Sequence, residues 1–596
     1  MSKTNEILAQ LRAAMKENGV SGYLIPSGDP HMSEYPPAYW ESRSFCSGFN
    51  GSAGTLAVTL TGSALWTDGR YFIQAQRQIE DSEIQLMRQG EPGVPSISEW
   101  LLEQLEDGTV MGLDGMTNSA GFVQELSDVL GKKNITIHSL DLIPTVWADR
   151  PAMPATQCYL LDVAHTGKTA GEKIQELKGK LKELGADSMM VTRLDDIAWL
   201  LNVRADDVAN TPYVLSFCLV EKEKAVFFTN LDRVPAQVKS ELEKDGITLL
   251  PYEKALDAVK EISAPTAMLF DKAAVNYSLL QAMEENEAIT VVPGTDPIQL
   301  MKGIKNPQEI KSIINAHVKD GIAMVRFQME LESRLEKGEL LTEMDVSRML
   351  RHWRSQQPLF LDESFVTIAA YGANAAMMHY HPTEENCSVI GRHGFLLCDC
   401  GGQYEDGTTD VTRTYAVGAL SEEDKIFYTR VLKAHIGLSS AKFPSGITCG
   451  NIDALSRIQL WKEGLDYRCG TGHSVCFVGA VHEGPQSLRA NNHVVLVPGM
   501  TLTDEPGIYE ENQVGIRIEN EILCKEWKKT EYGQFLCFEA FTYVPIDTTP
   551  LVTDLMTEEE ISWLNDYHQM VLEKLTPHLT EEEKLWLQKK CAPVKK

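Results

Sequence analysis

Four carboxylates and one imidazole stand out by residue type and spacing. Asp399 and Asp410 fall on successive predicted strands in FLLCDCGGQYEDGTTDVTRTY, eleven residues apart. His473 lies in CGTGHSV, Glu505 in TLTDEPGIY and Glu519 in VGIRIENEIL. Each is ordinary alone, since a lone strand Asp is usually a turn or solvated residue and a lone His is usually a satisfied structural one. Alternation along Val514 to Ile522 changes that reading: Val514, Ile516, Ile518 and Ile522 share one face, leaving Arg517, Glu519 and Glu521 on the other. If that face is buried, several like charges cannot all stay ionised unless cations compensate them. Two divalent cations balance four carboxylates. Hard oxygen donors with a single imidazole favour Mn2+ over a structural zinc. Two such ions about 3.5 to 4 Å apart could bind one hydroxide and polarise a carbonyl oxygen, which is hydrolytic chemistry.

Competing motifs each lose a key atom. GTGHSV matches GxGxxG until Val475, and GHSVC matches GxSxG until Cys476. His482-Glu483 would open HExxH, but position 486 is Gln. Dinucleotide, serine-hydrolase and zincin readings fail together.

These residues need a scaffold, and the chain is long enough to build one. Its 596 residues suggest three or four domains. Ordinary apolar content (43%) excludes wholesale disorder. With 55 Lys and Arg against 84 Asp and Glu, the net charge of −29 repels phosphate backbones and anionic lipid, so nucleic acid and membrane partners are not expected. The opening MSKTNEILAQLRAAMKENG reads as an amphipathic helix from Ile7 to Asn18, not an export signal. Twelve scattered cysteines without a CxxC pair fit reduced thiols in a cytoplasm, and Cys398 and Cys400 read as packing thiols on the strand face opposite Asp399.

The N-terminal half reads as one α/β unit used twice. A helix, the strand GYLIPS and the block ALWTDGRYF are echoed by a helix at Lys173 to Leu184, a strand-like SMMVTRLDDIAWL and AVFFTNLDR. Proline-marked breaks fall at Asp149 to Pro154 and at Lys302 to Pro307, giving expected domains 1–153, 154–302 and 303–596. A long helix is expected from Gln308 to about Lys337, then a β-rich region holding the acidic motifs. Two C-terminal helices open on capping boxes, Thr557 with Glu560 and Thr580 with Glu583.

In combination, DGTTDVTRT, GTGH, VHEGP, TDEPG and IRIEN resemble the Xaa-Pro aminopeptidase (aminopeptidase P) family in its long, three-domain, cytoplasmic form. IPSGDPHMSEY, GFNGSAGT, LDDIAWLLNVR and WLNDYH extend the resemblance over nearly the whole chain. The resemblance implies an α/β and α+β protein, with two creatinase-like N-terminal domains and a C-terminal pita-bread catalytic domain. It implies that Asp399 chelates one metal, that Asp410 and Glu519 bridge two, and that His473 and Glu505 complete the other. Glu505 would take the water proton and hand it to the leaving nitrogen. His379 in MMHYHP and His482 would hold the scissile carbonyl, and Arg517 would orient the carboxylates. The implied substrates are peptides with proline in second position, and the implied assembly is a homodimer. Ser474 and Cys400 stand where the family often has Gly and Ser. Prolidase is the nearest alternative, disfavoured by the two extra N-terminal domains.

Overall fold

Ile7, Leu8, Leu11, Ala14 and Met15 form one buried stripe of helix Lys3–Glu17, which Ser2 caps through its side chain. The helix covers a six-stranded sheet in the computed structural model, which describes residues 2–596. The chain packs into two compact units, Met1–Leu160 with Lys168–Ile298 and Leu161–Gly167 with Gln299–Lys596.

The first unit holds two six-stranded sheets. One runs Gln85–Arg88, Ser63–Thr67, Thr55–Thr59, Gly22–Pro26, Val110–Leu113, Thr136–Ser139. The other runs Ile247–Leu250, Ala225–Phe228, Phe217–Val220, Ser188–Val191, Thr266–Phe270, Ile289–Pro293. In both, the two central antiparallel pairings are flanked by parallel ones in the same order. One topology is therefore used twice, as the repeated blocks implied. The segment SMMVTRLDDIAWL needs correction: only Ser188–Val191 is strand, and Leu194–Leu201 is helix. Its apolar residues recur at helical spacing, and Asp195 and Asp196 fill the first turn, where the helix dipole favours negative charge.

The second unit is organised by a thirty-residue helix, Pro307–Glu336, capped by Asn306 with a Glu309 capping box and Pro at its start. Antiparallel strands Ile368–Tyr371, Phe395–Cys400 and Val411–Ala416 form one sheet. Lys442–Pro444, Gly533–Ala540, Asn520–Thr530 and Thr501–Asp504 form another. Two-stranded ladders pair Gly472–Ser474 with Glu483–Leu488 and Gly507–Glu510 with Val514–Arg517. Both C-terminal capping boxes are present. Among the described residues no helix is long and apolar enough to cross a membrane, and no disulfide joins the cysteines.

Candidate metal centre

The strands deliver the acidic residues to one place. Asp399 pairs with Thr412 and Ile368 at the centre of its sheet, while Cys398 and Cys400, on the other face, are fully buried against Met324 and Val411. Burial pushes the Cys400 thiol up to about 12, so both cysteines act as packing groups. Asp410 is not on a strand as expected. It directly precedes Val411–Ala416, and two short strands, Gly402–Tyr404 and Gly407–Thr408, separate it from the strand of Asp399.

The strand expected over Val514 to Ile522 is also interrupted. Val514–Arg517 belongs to one ladder and Asn520–Thr530 to a different sheet, with Ile518 and Glu519 between them. At the break the Glu519 N–H donates to the Thr412 carbonyl at 3.1 Å, and the Thr412 hydroxyl donates to Glu519 Oε2 at 2.7 Å. Arg517 and Glu519 both face the acidic cluster. Glu521 supports it from behind, its Oε1 accepting from the Asp410 N–H at 2.9 Å and lying 2.9 Å from His317 Nε2.

Asp410, His473 and Glu519 each present a ligand atom, and these atoms lie within 4.8 Å of one another. His473 Nε2 is 3.6 Å from Asp410 Oδ2 and 3.5 Å from Glu505 Oε1. Asp399 joins through Arg517, whose Nη2 donates to its Oδ2 at 2.5 Å. Arg517 also donates to Tyr509 Oη at 2.7 Å and to Thr412 Oγ1 at 3.1 Å. Asp399 Oδ1 and Asp410 Oδ1 are buried with no hydrogen-bond partner among the described residues. Orphaned anionic oxygens in so dry a site are what a hard cation would satisfy.

The electrostatics agree. Burial, then the charges of Glu519, Asp399 and Glu505, hold the Asp410 carboxyl well above its ordinary range. Burial and the charges of Asp399 and Glu505 do the same to Glu519. Glu505 is pushed up to about 7, mainly by burial and despite the nearby Arg517. Burial opposes the Arg517 charge too, but Tyr509, Asp399, Glu505 and Glu519 hold its pKa well above the usual value. One guanidinium does not neutralise four carboxylates.

Two close approaches set the spacing of these strands. A Cβ on Gly401 would lie 1.8 Å from the Thr409 carbonyl oxygen, and one on Gly472 would lie 1.9 Å from that of Thr503. Only glycine lets these backbones touch. Gly401 is two residues from Asp399, and Gly472 immediately precedes His473.

His482 also lies in the cluster, its ring 4.3 Å from that of His473 in an edge-on arrangement. His379 follows Met378, whose carbonyl is 3.5 Å from Arg517 Nη2. Ser474 and Cys400 are both buried, and neither occupies a ligand position. Thr412 and Arg413 were not singled out from sequence. Thr412 shares the side-chain parity of Asp410, which was a usable signal. Arg413 points the other way, donating to the carbonyls of Glu519, Pro545 and Val544, and nothing in the sequence marks that role.

This fold and centre define a metal-dependent peptidase. Residues 311–526 match Metallopeptidase family M24 and 534–594 its C-terminal region, while 7–143 and 149–309 each match the Creatinase/Prolidase N-terminal domain. Aminopeptidase P2 of Arabidopsis thaliana is 38% identical, covering 98% of this chain and 88% of its own. Xaa-Pro aminopeptidase 1 of Dictyostelium discoideum is 36% identical, covering 98% and 96%. The crystal structure of an X-prolyl aminopeptidase from Caenorhabditis elegans, described as a cytosolic enzyme with a di-nuclear active site, superposes with a TM-score of 0.94 at 34% identity over 100% of both chains. The chain belongs to the Xaa-Pro aminopeptidase family, with two creatinase-type N-terminal domains and a C-terminal pita-bread domain.

Proposed function

We propose that the protein releases the first residue from peptides with proline in second position, using two divalent cations, Mn2+ in the cell. The single observation carrying this reading is the convergence of Asp410, His473 and Glu519 donor atoms within 4.8 Å of one another. Asp399, Asp410, His473, Glu505 and Glu519 would hold the pair, Asp399 serving one cation, His473 and Glu505 the other, and Asp410 and Glu519 shared between them. When bound, the cations supply Lewis-acid charge that acidifies water and polarises the scissile carbonyl.

The chain's own groups do the rest. Glu505 accepts the proton of the attacking water and delivers it to the proline nitrogen, which must be protonated to leave. His379 and His482 hold the carbonyl oxygen and stabilise its developing charge. Arg517 locks Asp399 through its 2.5 Å hydrogen bond, so that ligand cannot swing away. The Xaa-Pro bond has no N–H, so a pocket shaped for the ring accepts what donor-dependent aminopeptidases reject.

We assign residues 1–153, 154–302 and 303–596 as the three domains, a cytoplasmic location and a homodimer. The two sheets of one topology support the first assignment. The test is Arg-Pro-Pro hydrolysis alongside elemental analysis of the same sample. Two equivalents of manganese, release of free Arg, and loss of both release and metal in His473→Ala are expected. Activity confined to Xaa-Pro dipeptides would replace this reading with a prolidase.

A further inference from the structure

Glu343 opens helix Glu343–Ser355 and is fully buried, at 0% exposure. Among the described residues no cation is a hydrogen-bond partner of it. Its Oε1 accepts from the Tyr371 N–H at 2.6 Å and the Asn374 amide at 3.0 Å. Its Oε2 accepts from the Ser388 N–H at 2.7 Å, the Tyr380 hydroxyl at 2.8 Å and Asn374 at 3.2 Å. Its own N–H donates to the Ser388 carbonyl at 3.0 Å. A buried carboxylate is tolerated only when donors converge on it, and here they come from four residues in residues 371–388 alone.

That segment carries His379. Past the short turn Gly372–Ala376 it has no helix or strand of its own until Phe395, and an isolated backbone bridge, Val389 to Thr342, ties its far end to the start of the Glu343 helix. Tyr380, next to His379, hydrogen-bonds Glu343, while Met378, on the other side, faces Arg517. His379 is thus suspended between a buried anion behind and the guanidinium of the metal centre in front.

We propose that Glu343 is a positioning residue that sets where His379 stands relative to the cations. The inference rests on the reading that His379 engages the scissile carbonyl. Replacing one carboxylate oxygen by an amide NH2 sets donor against donor, so the segment must shift without any change in volume. The experiment measures kcat and KM for Arg-Pro-Pro in the Mn2+-loaded full chain for Glu343→Gln, His379→Ala and the double variant, with metal content and thermal unfolding. Glu343→Gln is expected to lower kcat by about 10²-fold with KM little changed and both cations retained. The double variant is expected to be no slower than His379→Ala, because the residue acts through that imidazole. Losses that multiply in the double variant would overturn the inference alone. A His379→Ala enzyme with wild-type kcat would overturn both it and the role of His379. Should Glu343→Gln fail to fold, Tyr380→Phe removes one donor and leaves the carboxylate. It is expected to lower kcat severalfold, an effect absent in the His379→Ala background, and wild-type kcat in Tyr380→Phe would overturn the inference.

Discussion

Gly472→Ala puts the sharpest question to the metal centre, because it alters spacing without touching a ligand. The added methyl would start 1.9 Å from the Thr503 carbonyl oxygen and must retreat to at least 3.4 Å for ordinary contact. No flexible side chain can yield, since the obstacle is backbone. The two strands must part by more than an ångström, carrying His473 on one and Glu505 just beyond the other, whose side chains are now 3.5 Å apart. Overpacking of this kind costs about 1–3 kcal/mol. Misplacing a reacting geometry by about 1 Å costs about 10²-fold in rate. The metal-loaded variant should therefore release Arg from Arg-Pro-Pro about 10²-fold more slowly in kcat/KM, with a melting point a few degrees lower and weakened cation occupancy. Gly179→Ala is the matched control: it lies within helix Ala170–Glu183, a Cβ there meets nothing within 4 Å, and the change should be neutral or stabilise by about 1 kcal/mol. Wild-type kcat/KM with full metal content in Gly472→Ala would show that strand contact does not set the ligand spacing.

Other consequences are open to measurement. In metal-free protein the raised Glu505 pKa makes its stabilising contribution complete below about pH 4.5 and lost as pH climbs to about 7, so Glu505→Gln should flatten the fall of melting temperature across that window. A slope unchanged by the substitution would refute that origin. Adding Mn2+ at neutral pH should raise the melting temperature of the chelated wild type, and His473→Ala should blunt the gain. Arg354→Met strands the buried Asp320, which Arg354 contacts at 2.7 Å, and should cost about 3–5 kcal/mol in urea denaturation. Ser474→Gly removes the hydroxyl joining Glu483 and Gln486, and should cost about 1–3 kcal/mol in the same assay without abolishing cleavage.

Much of this was legible in the residues themselves. Chemical type and motif spacing singled out the five acidic and imidazole groups, because buried charge demands compensation wherever it occurs. The repeated blocks announced two sheets, although their shared strand order needed coordinates. Two helix starts could be read from Thr557 and Thr580, since a cap is a local contact. What escaped was non-local. The interruption at Ile518 and Glu519 is invisible to alternation, which counts residues but not the sheet they pair with. No motif marks Glu343, and only the fold brings Tyr371, Asn374, Tyr380 and Ser388 to it. The helix at Leu194–Leu201 was hidden behind the strand it follows.

The two residues between Arg517 and Asn520, which lie outside both ladders, act as a fixed-length coupler. Upstream the phase is locked by Gly507 opposite Arg517, and downstream by Asp504 opposite Asn520. Removing or inserting one residue there would invert every side chain of one ladder relative to the other, turning either the guanidinium or the carboxylate outward. The chain's length at this point is thus held as tightly as its identity: one residue more or fewer across the gap would undo the joint placement of Arg517 and Glu519 while leaving both in the sequence.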